Sequence, residues 1–260
     1  PHFRGYTKLR DEITREKPDA REQLDYMPEY KAIPLNQIPE DQPWLRIQGP
    51  NQWPEAIPEL KTTLLELQRQ QIALAKVLLT AFAESLGQAP DAFAHTDRNN
   101  PSVLCKAIHY PGTEFEEQGV GAHKDGGYLT LLMQDENPGL QVLKDDEWVL
   151  AEPIKGTFIV NIGELLEIAS QGYLKATMHR VITPKKEIDR YSLAFFLTSQ
   201  LNATVPLLNL PPHLKSKNFS ITRDPKNPLF TEIGKNFLKG RLRSHPDVAA
   251  QHYSDLASLT

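Results

Sequence analysis

The sequence has only one cysteine, Cys105, so a disulfide within the chain and a zinc site built from cysteines are both excluded. Cys105 lies in the apolar stretch SVLCKAI, where we expect a small buried residue rather than a catalytic thiol. The sequence also lacks an apolar run of about 18 residues, the length that a membrane-spanning helix needs. We therefore expect no membrane partner. A nearly cysteine-free chain fits a reducing compartment, and we expect a cytoplasmic location.

An excess of either charge is also lacking, because 29 lysines and arginines stand against 33 aspartates and glutamates. There is no basic stripe, RNP-like motif or zinc-finger spacing, so we expect no nucleic-acid partner. GVGAHK is not a dinucleotide-binding fingerprint, since Lys124 stands where the third glycine belongs. The chain has no Gly-x-Ser-x-Gly elbow. With 40% hydrophobic and 24% charged residues, it has an ordinary globular composition and room for one large domain.

Four parts follow one another along the chain. Residues 1–57 are rich in proline and charge, which predicts an extended arm with at most short helices. Residues 58–100 contain a predicted amphipathic support helix that begins at Pro58 and stops at Gly87. Residues 101–205 have a β texture, and residues 206–260 return to helix, mainly within TEIGKNFLKGRLRSHPDVAAQHYSDL. Six apolar residues of the support helix recur at helical steps and are expected to face the core: Leu60, Leu64, Leu67, Leu74, Leu78 and Phe82.

Short apolar runs separated by turn clusters fill residues 101–205. The runs predicted as strands are VLCKAIHYP, YLTLLMQD, GLQVL, EWVLAEPI, GTFIVNIG, KATMHRVITP and RYSLAFFLTS. KDDE predicts a hairpin turn, and ELLEIASQG predicts a short helix closed by Gly172. Many short strands of even spacing favour a sandwich, barrel or jelly roll over βαβ units. We expect one mainly β domain with flanking helices.

His123 and Asp125 are separated by one residue in GAHKDGGYLTLLMQD. If this segment is a strand, both side chains point to one face and Lys124 points away. The chain has eight histidines, so a His-x-Asp pair can be accidental and needs a third ligand from another strand. His179 is the candidate, because four or five strands fit between it and the first pair. Two imidazoles and one carboxylate on one face suit non-haem Fe(II).

A possible anchor for a carboxylate follows the turn PKKEID. In RYS, Arg190 and Ser192 alternate onto one face of the strand predicted to pair with the His179 strand. A guanidinium captures a carboxylate through two hydrogen bonds, and a hydroxyl adds a third. Taken alone, Arg190 is as compatible with a surface position; beside a metal site it predicts carboxylate binding.

With these residues, the sequence resembles the iron- and 2-oxoglutarate-dependent oxygenases, within them the isopenicillin N synthase-like branch (iron/ascorbate oxidoreductases), as a bacterial-type member. The resemblance rests on HKDGGYLTLLMQD, PGLQVLKDDEWV, IKGTFIVNIGELLEIASQGYLKATMHRVI and RYSLAFFL, which lie in family order within residues 101–200. RGYTKLRDEITREKPDAREQLDY also resembles the loop before the support helix in bacterial members. The family's N-terminal strand-helix segment is missing, so we expect residues 1–57 to be a truncated part of that region.

The resemblance implies a double-stranded β-helix, or jelly roll, in which His123, Asp125 and His179 hold Fe(II). It implies 2-oxoglutarate as cosubstrate, with its distal carboxylate bound by Arg190 and Ser192. O2 is the second cosubstrate, and ascorbate is a candidate reductant. The reaction expected is hydroxylation of a small molecule, with release of succinate and CO2.

Two further residues match family positions near the pocket. Tyr110, in AIHYPG, matches a tyrosine that helps to hold cosubstrate or substrate, and an aromatic core residue is an equal alternative. Asn161 matches a recurring asparagine, which makes it a candidate contact to the cosubstrate, and the alternative is a cap or turn residue before the helix at Glu164.

Three other functions stay open. An isopenicillin N synthase-like oxidase keeps the Arg-x-Ser pair without using 2-oxoglutarate. A jelly roll can bind metal without turnover. A zinc hydrolase uses the same ligand types, although it leaves Arg190 and Ser192 without a role. The substrate and the oligomeric state are not predicted.

Overall fold

The computed structural model describes residues 1–94, 101–215, 220–221 and 227–259. The strands in these ranges are β1 (Gly5–Thr7), β2 (Ile13–Thr14), β3 (Lys17–Pro18), β4 (Glu22–Tyr26), β5 (Ser102–Tyr110), β6 (Gln118–His123), β7 (Leu129–Gln134), β8 (Leu140–Lys144), β9 (Glu147–Leu150), β10 (Ile159–Ile162), β11 (His179–Ile182) and β12 (Arg190–Ser199). The α-helices are α1 (Pro58–Ser85), α2 (Glu164–Ala169), α3 (Ile233–Ser244) and α4 (Pro246–His252). Short 3-10 segments cover Leu35–Gln37, Pro43–Ile47, Pro212–Leu214 and Ser254–Leu259.

Two antiparallel sheets form a jelly roll. The six-stranded sheet has the order β1-β4-β5-β12-β7-β10, and the four-stranded sheet has the order β6-β11-β8-β9. Both sheets contribute to one buried apolar cluster: Ile108, Tyr110, Val120, Leu140, Val181 and Ala194. The predicted mainly β jelly roll with flanking helices is therefore confirmed.

The seven apolar runs predicted as strands each contain one, namely β5 and β7 to β12. The hairpin predicted at KDDE joins β8 to β9, and its two central residues, Asp145 and Asp146, have φ of 49° and 64°. Positive φ at both positions is the geometry of a type I′ turn, whose twist matches paired strands. Gly172, with φ of 85°, closes the segment after α2 as predicted.

α1 begins at Pro58, and Gly87 follows its end with φ of 68°, so the predicted support helix and its stop are confirmed. The predicted core-facing residues are confirmed in part, because Leu64 is buried and Leu60, Leu78 and Phe82 pack against the main core, whereas Leu74 is 37% exposed. The most buried residues of α1 are Leu64, Gln68, Gln71, Ala75, Leu79 and Ala83. Ala75 and Ala83 are fully buried on this face, where α1 packs against β7 and β12 of the six-stranded sheet.

Cys105 lies beneath α1 on the outer side of β5. The thiol is buried and lies 3.5 Å from Nε2 of Gln68. Burial raises the pKa of Cys105 to about 12, so the thiol stays protonated at neutral pH. The predicted role as a small buried residue is confirmed.

Residues 1–57 contribute to the main sheet and do not form only an extended arm. β4 pairs with β5, and β1 pairs with β4 at the edge of the six-stranded sheet. Sequence pattern did not reveal these strands because they are short, and β4 buries the polar Gln23 and Asp25 on one face while Leu24 and Tyr26 pack against the main core on the other. The β2–β3 hairpin lies on β6, where Nε2 of Gln118 donates to the carbonyl of Thr14.

The C-terminal helices pack against the N-terminal segment. The predicted helix after Thr231 is confirmed as α3 and α4, which break at His245 before Pro246. Together they bury a second apolar cluster: Phe3, Met27, Ile47, Leu104, Leu238, Leu242 and Tyr253. Residues 95–100, 216–219, 222–226 and 260 of the predicted helical regions lie outside the described residues. In the described part of the chain, no helix has the length and apolarity needed to cross a membrane.

Candidate metal centre

The side chains of His123, Asp125 and His179, called the triad below, meet between the two sheets. Oδ1 of Asp125 lies 3.4 Å from Nε2 of His179 and 3.6 Å from Nε2 of His123. One ligand-type atom from each residue lies within 4.8 Å of the others. Within the described ranges, no other group of three His, Cys, Asp or Glu side chains is this close. The structure therefore brings together the three side chains selected from the sequence.

Two strand ends and one connection position the triad. β6 ends at His123 and β11 begins at His179, and these two residues pair directly across the antiparallel ladder. Asp125 lies in the connection to β7, so the condition that this segment is a strand is not met, and the path of the connection rather than strand alternation brings Asp125 to His123. The carbonyl of Asp125 accepts a hydrogen bond of 2.8 Å from the N–H of Glu164, at the start of α2. This bond fixes the connection where its carboxylate meets the histidines.

Backbone carbonyls set the tautomer of both histidines. Nδ1 of His123 lies 2.8 Å from the carbonyl oxygen of Gly121. Nδ1 of His179 lies 3.0 Å from the carbonyl oxygen of Thr177. A carbonyl only accepts, so each Nδ1 carries a proton, and in the neutral ring the lone pair belongs to Nε2, on the side of Asp125. This is the arrangement by which proteins orient imidazole ligands.

Hydrogen bonds also select one oxygen of Asp125. Its Oδ2 accepts from the hydroxyl of Thr130 at 2.7 Å and from Nδ2 of Asn161 at 3.2 Å, which leaves Oδ1 for the centre of the triad. Thr130 and Asn161 are direct partners in the β7–β10 ladder. Nδ2 of Asn161 also lies 3.3 Å from Nδ1 of His179, so Asn161 contacts two triad members.

The charges within the triad favour an ionised carboxylate. Burial alone would raise the pKa of Asp125, but the adjacent His179 and His123 lower that pKa well below its ordinary value. Burial would lower the pKa of His179, but the carboxylate of Asp125 raises it. The site thus holds a negative charge between two imidazoles, as a divalent cation requires.

Arg190 and Ser192 lie on the buried face of β12, as the sequence predicts. The predicted pairing of this strand with the His179 strand is wrong, because β12 pairs with β5 and β7 while β11 pairs with β6 and β8. The segment PKKEID crosses from one sheet of the jelly roll to the other, so the two strands face each other across the cavity. Arg190 is fully buried; its Nη2 donates to Oε1 of Gln134 at 2.6 Å and its Nε to the carbonyl of Asn137 at 3.2 Å. Its Nη1 and the Oγ of Ser192 have no hydrogen-bond partner. A buried guanidinium nitrogen and a buried hydroxyl without partners are costly, which points to a carboxylate ligand.

Tyr110 lies beside this pair. It is the direct partner of Arg190 in the β5–β12 ladder, and the guanidinium carbon lies 4.8 Å from the centre of its ring. The ring thereby supports the position of the guanidinium by a cation–π contact.

One narrow cavity of about 50 Å³ connects the triad to Arg190 and Ser192. Its remaining lining is mostly apolar: Ile108, Val120, Leu132, Leu140, Ile159, Val181, Ala194 and Phe196. Arg21, from the segment before β4, also lines it and was not predicted. A larger cavity of about 440 Å³ lies on the outer face of the six-stranded sheet, and no triad side chain lines it.

Thr130 and Gln134 were also missed at the sequence level. A signal was available, because strand alternation in YLTLLMQD puts Thr130, Leu132 and Gln134 on one face. Three residues of that face thus support Asp125, line the cavity and hold Arg190.

A family model of the 2OG-Fe(II) oxygenase superfamily matches residues 99–199. The chain is 34% identical to homoarginine-6-hydroxylase 2-ODD-C23.1 of Arabidopsis thaliana, over 80% of this chain and 63% of that protein. It is 30% identical to the 2-oxoglutarate-dependent dioxygenase frbJ of Dothideomycetidae sp. (strain 11243), over 95% of this chain and 71% of that protein. The chain thus spans less than two thirds of the length of the Arabidopsis relative.

A solved structure supports the same grouping. Full-length Neurospora crassa T7H, in complex with alpha-KG, is similar with a TM-score of 0.67 and 25% identity, over 91% of this chain and 74% of that chain. The sequence match to frbJ extends along nearly the whole chain, and the jelly roll and the triad lie inside it. On these grounds the chain belongs to the 2OG-Fe(II) oxygenase superfamily.

Proposed function

We propose that this protein is a non-haem Fe(II)- and 2-oxoglutarate-dependent oxygenase that hydroxylates a small-molecule substrate. One observation carries the proposal: the triad shares a cavity with a buried guanidinium nitrogen and a buried hydroxyl that no protein atom satisfies. Metal-type donors alone fit several enzymes, but together with a carboxylate anchor they fit an Fe(II) enzyme that chelates an oxo-acid. Membership of the superfamily supports the same activity.

The donor set fits Fe(II). In the proposal, Nε2 of His123, Nε2 of His179 and Oδ1 of Asp125 hold the metal, because these atoms converge and every neighbouring hydrogen bond leaves them free. Thr130 and Asn161 then keep Oδ2 occupied, so the carboxylate binds through one oxygen. Asn161 thus orients the ligands, which replaces the cosubstrate contact suggested for it by the sequence.

The anchor fits the distal carboxylate of 2-oxoglutarate. Nη1 of Arg190 and the Oγ of Ser192 are buried without partners on one face of β12. Gln134 and Tyr110 hold the rest of the guanidinium in place, so little ordering is needed when the carboxylate binds. The role of Tyr110 in this proposal is to support Arg190.

When bound, Fe(II) and 2-oxoglutarate supply the activation of O2, with release of succinate and CO2 and transfer of one oxygen atom to a C–H bond of the substrate. The chain's own residues orient the metal and the cosubstrate and shield both from bulk water. Apolar side chains from both sheets, such as Leu132, Val181 and Phe196, line the cavity and keep bulk water from the reacting groups.

Further features of the proposal come from the sequence. They are the isopenicillin N synthase-like branch, the bacterial type, the cytoplasmic location, and the division into residues 1–57, 58–100, 101–205 and 206–260. The relative from Arabidopsis is a homoarginine-6-hydroxylase, which supports a small molecule as the substrate class here.

The deciding experiment is an anaerobic titration of the Fe(II)-loaded protein with 2-oxoglutarate, followed through the visible charge-transfer band of the chelate. We expect a band that saturates. We expect Arg190→Ala to raise the 2-oxoglutarate dissociation constant at least about tenfold, because a charge-assisted hydrogen bond is lost, while Fe(II) remains bound.

A matched control is Arg69→Ala, which removes an exposed arginine of α1 that pairs with Glu66; it should not change the titration. If Fe(II) binds the wild-type protein but no band forms, the proposed cosubstrate is wrong and the oxidase alternative takes its place. If Arg190→Ala binds 2-oxoglutarate as the wild type does, the anchor is wrong.

A further inference from the structure

Glu167, on α2, is a carboxylate buried to 1% exposure. Its Oε2 accepts a hydrogen bond of 3.0 Å from Nζ of Lys124 and another of 3.0 Å from the backbone N–H of Ala176. Its Oε1 lies 3.7 Å from Nζ of the half-exposed Lys175. A buried carboxylate is costly unless charge partners and hydrogen bonds compensate it, and here both meet at one oxygen.

The two partners of that oxygen belong to the segments that carry the triad. Lys124 stands between His123 and Asp125, and its side chain points away from them, as the sequence predicts. Ala176 precedes His179 by three residues and lies on the segment that leads into β11. One carboxylate therefore ties the segment with two triad residues to the segment with the third.

Backbone hydrogen bonds from the start of α2 also hold the connection between β6 and β7, which carries Asp125. The N–H of Glu164 donates to the carbonyl of Asp125 at 2.8 Å, and the N–H of Leu165 donates to the carbonyl of Gly127 at 3.1 Å. Gly163 lies so close that a Cβ there would come within 2.0 Å of the Gly127 carbonyl oxygen. α2 thus packs closely against the connection that carries Asp125, and Glu167 extends this support to Lys124 and Ala176.

We propose that Glu167 is a positioning residue of the metal centre: through Lys124 and the Ala176 amide it holds the two triad segments at the separation that Fe(II) needs. The inference rests on the proposed function of the triad. Residues that orient metal ligands commonly change metal affinity about 10- to 100-fold when mutated. The partners of Glu167 described above, Lys124 and the Ala176 amide, are not triad members, so their effect on the triad passes through the backbone of both segments.

The test measures the Fe(II) dissociation constant anaerobically, at a temperature where the metal-free protein of every variant remains folded. Glu167→Gln keeps an acceptor for the Ala176 N–H but removes the charge partner of Lys124. Lys124→Met removes the ammonium and keeps the aliphatic stem. We expect each variant to weaken Fe(II) binding about 10- to 100-fold. The double variant should be no weaker than the weaker single, because both changes break one link.

Lys175→Met is the matched control, since it removes the exposed ammonium on the other oxygen of Glu167 and should leave Fe(II) affinity within about twofold of wild type. A purely structural role predicts lower melting temperatures of the metal-free variants with wild-type Fe(II) affinity, and that result overturns the inference. If Glu167→Gln does not fold, Lys124→Met decides alone. Failure of the wild-type protein to bind Fe(II) contradicts the proposed function instead.

Discussion

At the scale of single residues, the geometry of the triad depends on which oxygen of Asp125 is free. Thr130 and Asn161 both donate to Oδ2, so Oδ1 alone faces the two imidazoles. A hydroxyl 2.7 Å from Oδ2 restrains rotation of the carboxylate, and a carboxylate that rotates freely is a poorer ligand because binding must first order it.

Thr130→Val tests this restraint, since valine has nearly the same shape but no hydroxyl. We expect Fe(II) affinity to fall about tenfold, the lower end of the range for residues that orient ligands. Asp125→Ala, which removes the ligand, should abolish binding and defines complete loss. Calorimetric titration with Fe(II) under nitrogen measures both.

Thr62→Val serves as the control, because Thr62 is exposed on α1 and donates only to the carbonyl of Glu59. Its Fe(II) affinity should equal that of wild type. An unchanged affinity in Thr130→Val would mean that Asn161 suffices to orient Asp125, and the role given to the hydroxyl would be wrong.

Spacing and residue type were enough to select the triad, Arg190 and Ser192, because ligand chemistry restricts which side chains can serve. Of the residues that orient them, Asn161 and Tyr110 were named from the sequence, and strand alternation could have revealed Thr130. Glu167 is one acid in a helix. Its role comes from neighbours that are close in space but not regularly spaced in the sequence, so pattern alone does not reveal it.

At the scale of secondary structure elements, α1 shows how periodicity can predict a helix and most of its core-facing residues but not the centre of the buried face. Leu79 is 5% exposed and packs in the main core, whereas Leu74, predicted to face the core, is 37% exposed. Both apolar and amide side chains recur at helical steps along α1, and contact with the sheet decides which set is buried. β4 was missed because it buries Gln23 and Asp25 as well as Tyr26, so it lacks the alternation of apolar and polar residues that indicates a strand.

Leu79→Ala and Leu74→Ala separate the two faces. We expect Leu79→Ala to lower the free energy of unfolding by about 2–5 kcal/mol, because it leaves a cavity in the core. Leu74→Ala makes the same chemical change at an exposed position and should cost less than about 1 kcal/mol, helped by the helix propensity of alanine. Urea unfolding followed by circular dichroism measures both. Equal losses of the free energy of unfolding would mean that Leu74 contributes to the core, as predicted from the sequence.

At the scale of the whole molecule, a buried network of charges joins the N-terminal segment, the main sheet and α3. Lys106, on β5, contacts Glu12 at 3.0 Å and Asp25 at 3.2 Å, and Arg241, on α3, contacts Asp25 at 2.8 Å. Arg21 contacts Glu12 at 2.8 Å. Burial alone would raise the pKa of Glu12, but Arg21 and Lys106 lower it well below its ordinary value. Separating one partner from such a network leaves an uncompensated buried charge. We therefore expect the N-terminal segment, the main sheet and α3 to unfold together.

His245 makes this assembly sensitive to acid. The ring is buried at the end of α3, with Nε2 2.9 Å from Nη2 of Arg241 and Nδ1 2.8 Å from the Oγ of Ser244, and it meets Phe3 edge-on. Burial, and then the charge of Arg241, lowers the pKa of His245 from 6.5 to about 2. Between these values the unfolded chain binds a proton that the folded protein does not, so the free energy of unfolding falls as the pH drops below about 6.5. The loss approaches about 1.4 kcal/mol per pH unit.

We expect His245→Gln to flatten the dependence of the free energy of unfolding on pH between pH 7 and pH 5, whatever the stability of the variant at pH 7. Urea unfolding at a series of pH values measures it. His213→Gln, which removes an exposed histidine, should keep the wild-type slope. A slope in His245→Gln equal to that of wild type would mean that the acid sensitivity resides in other groups of the network.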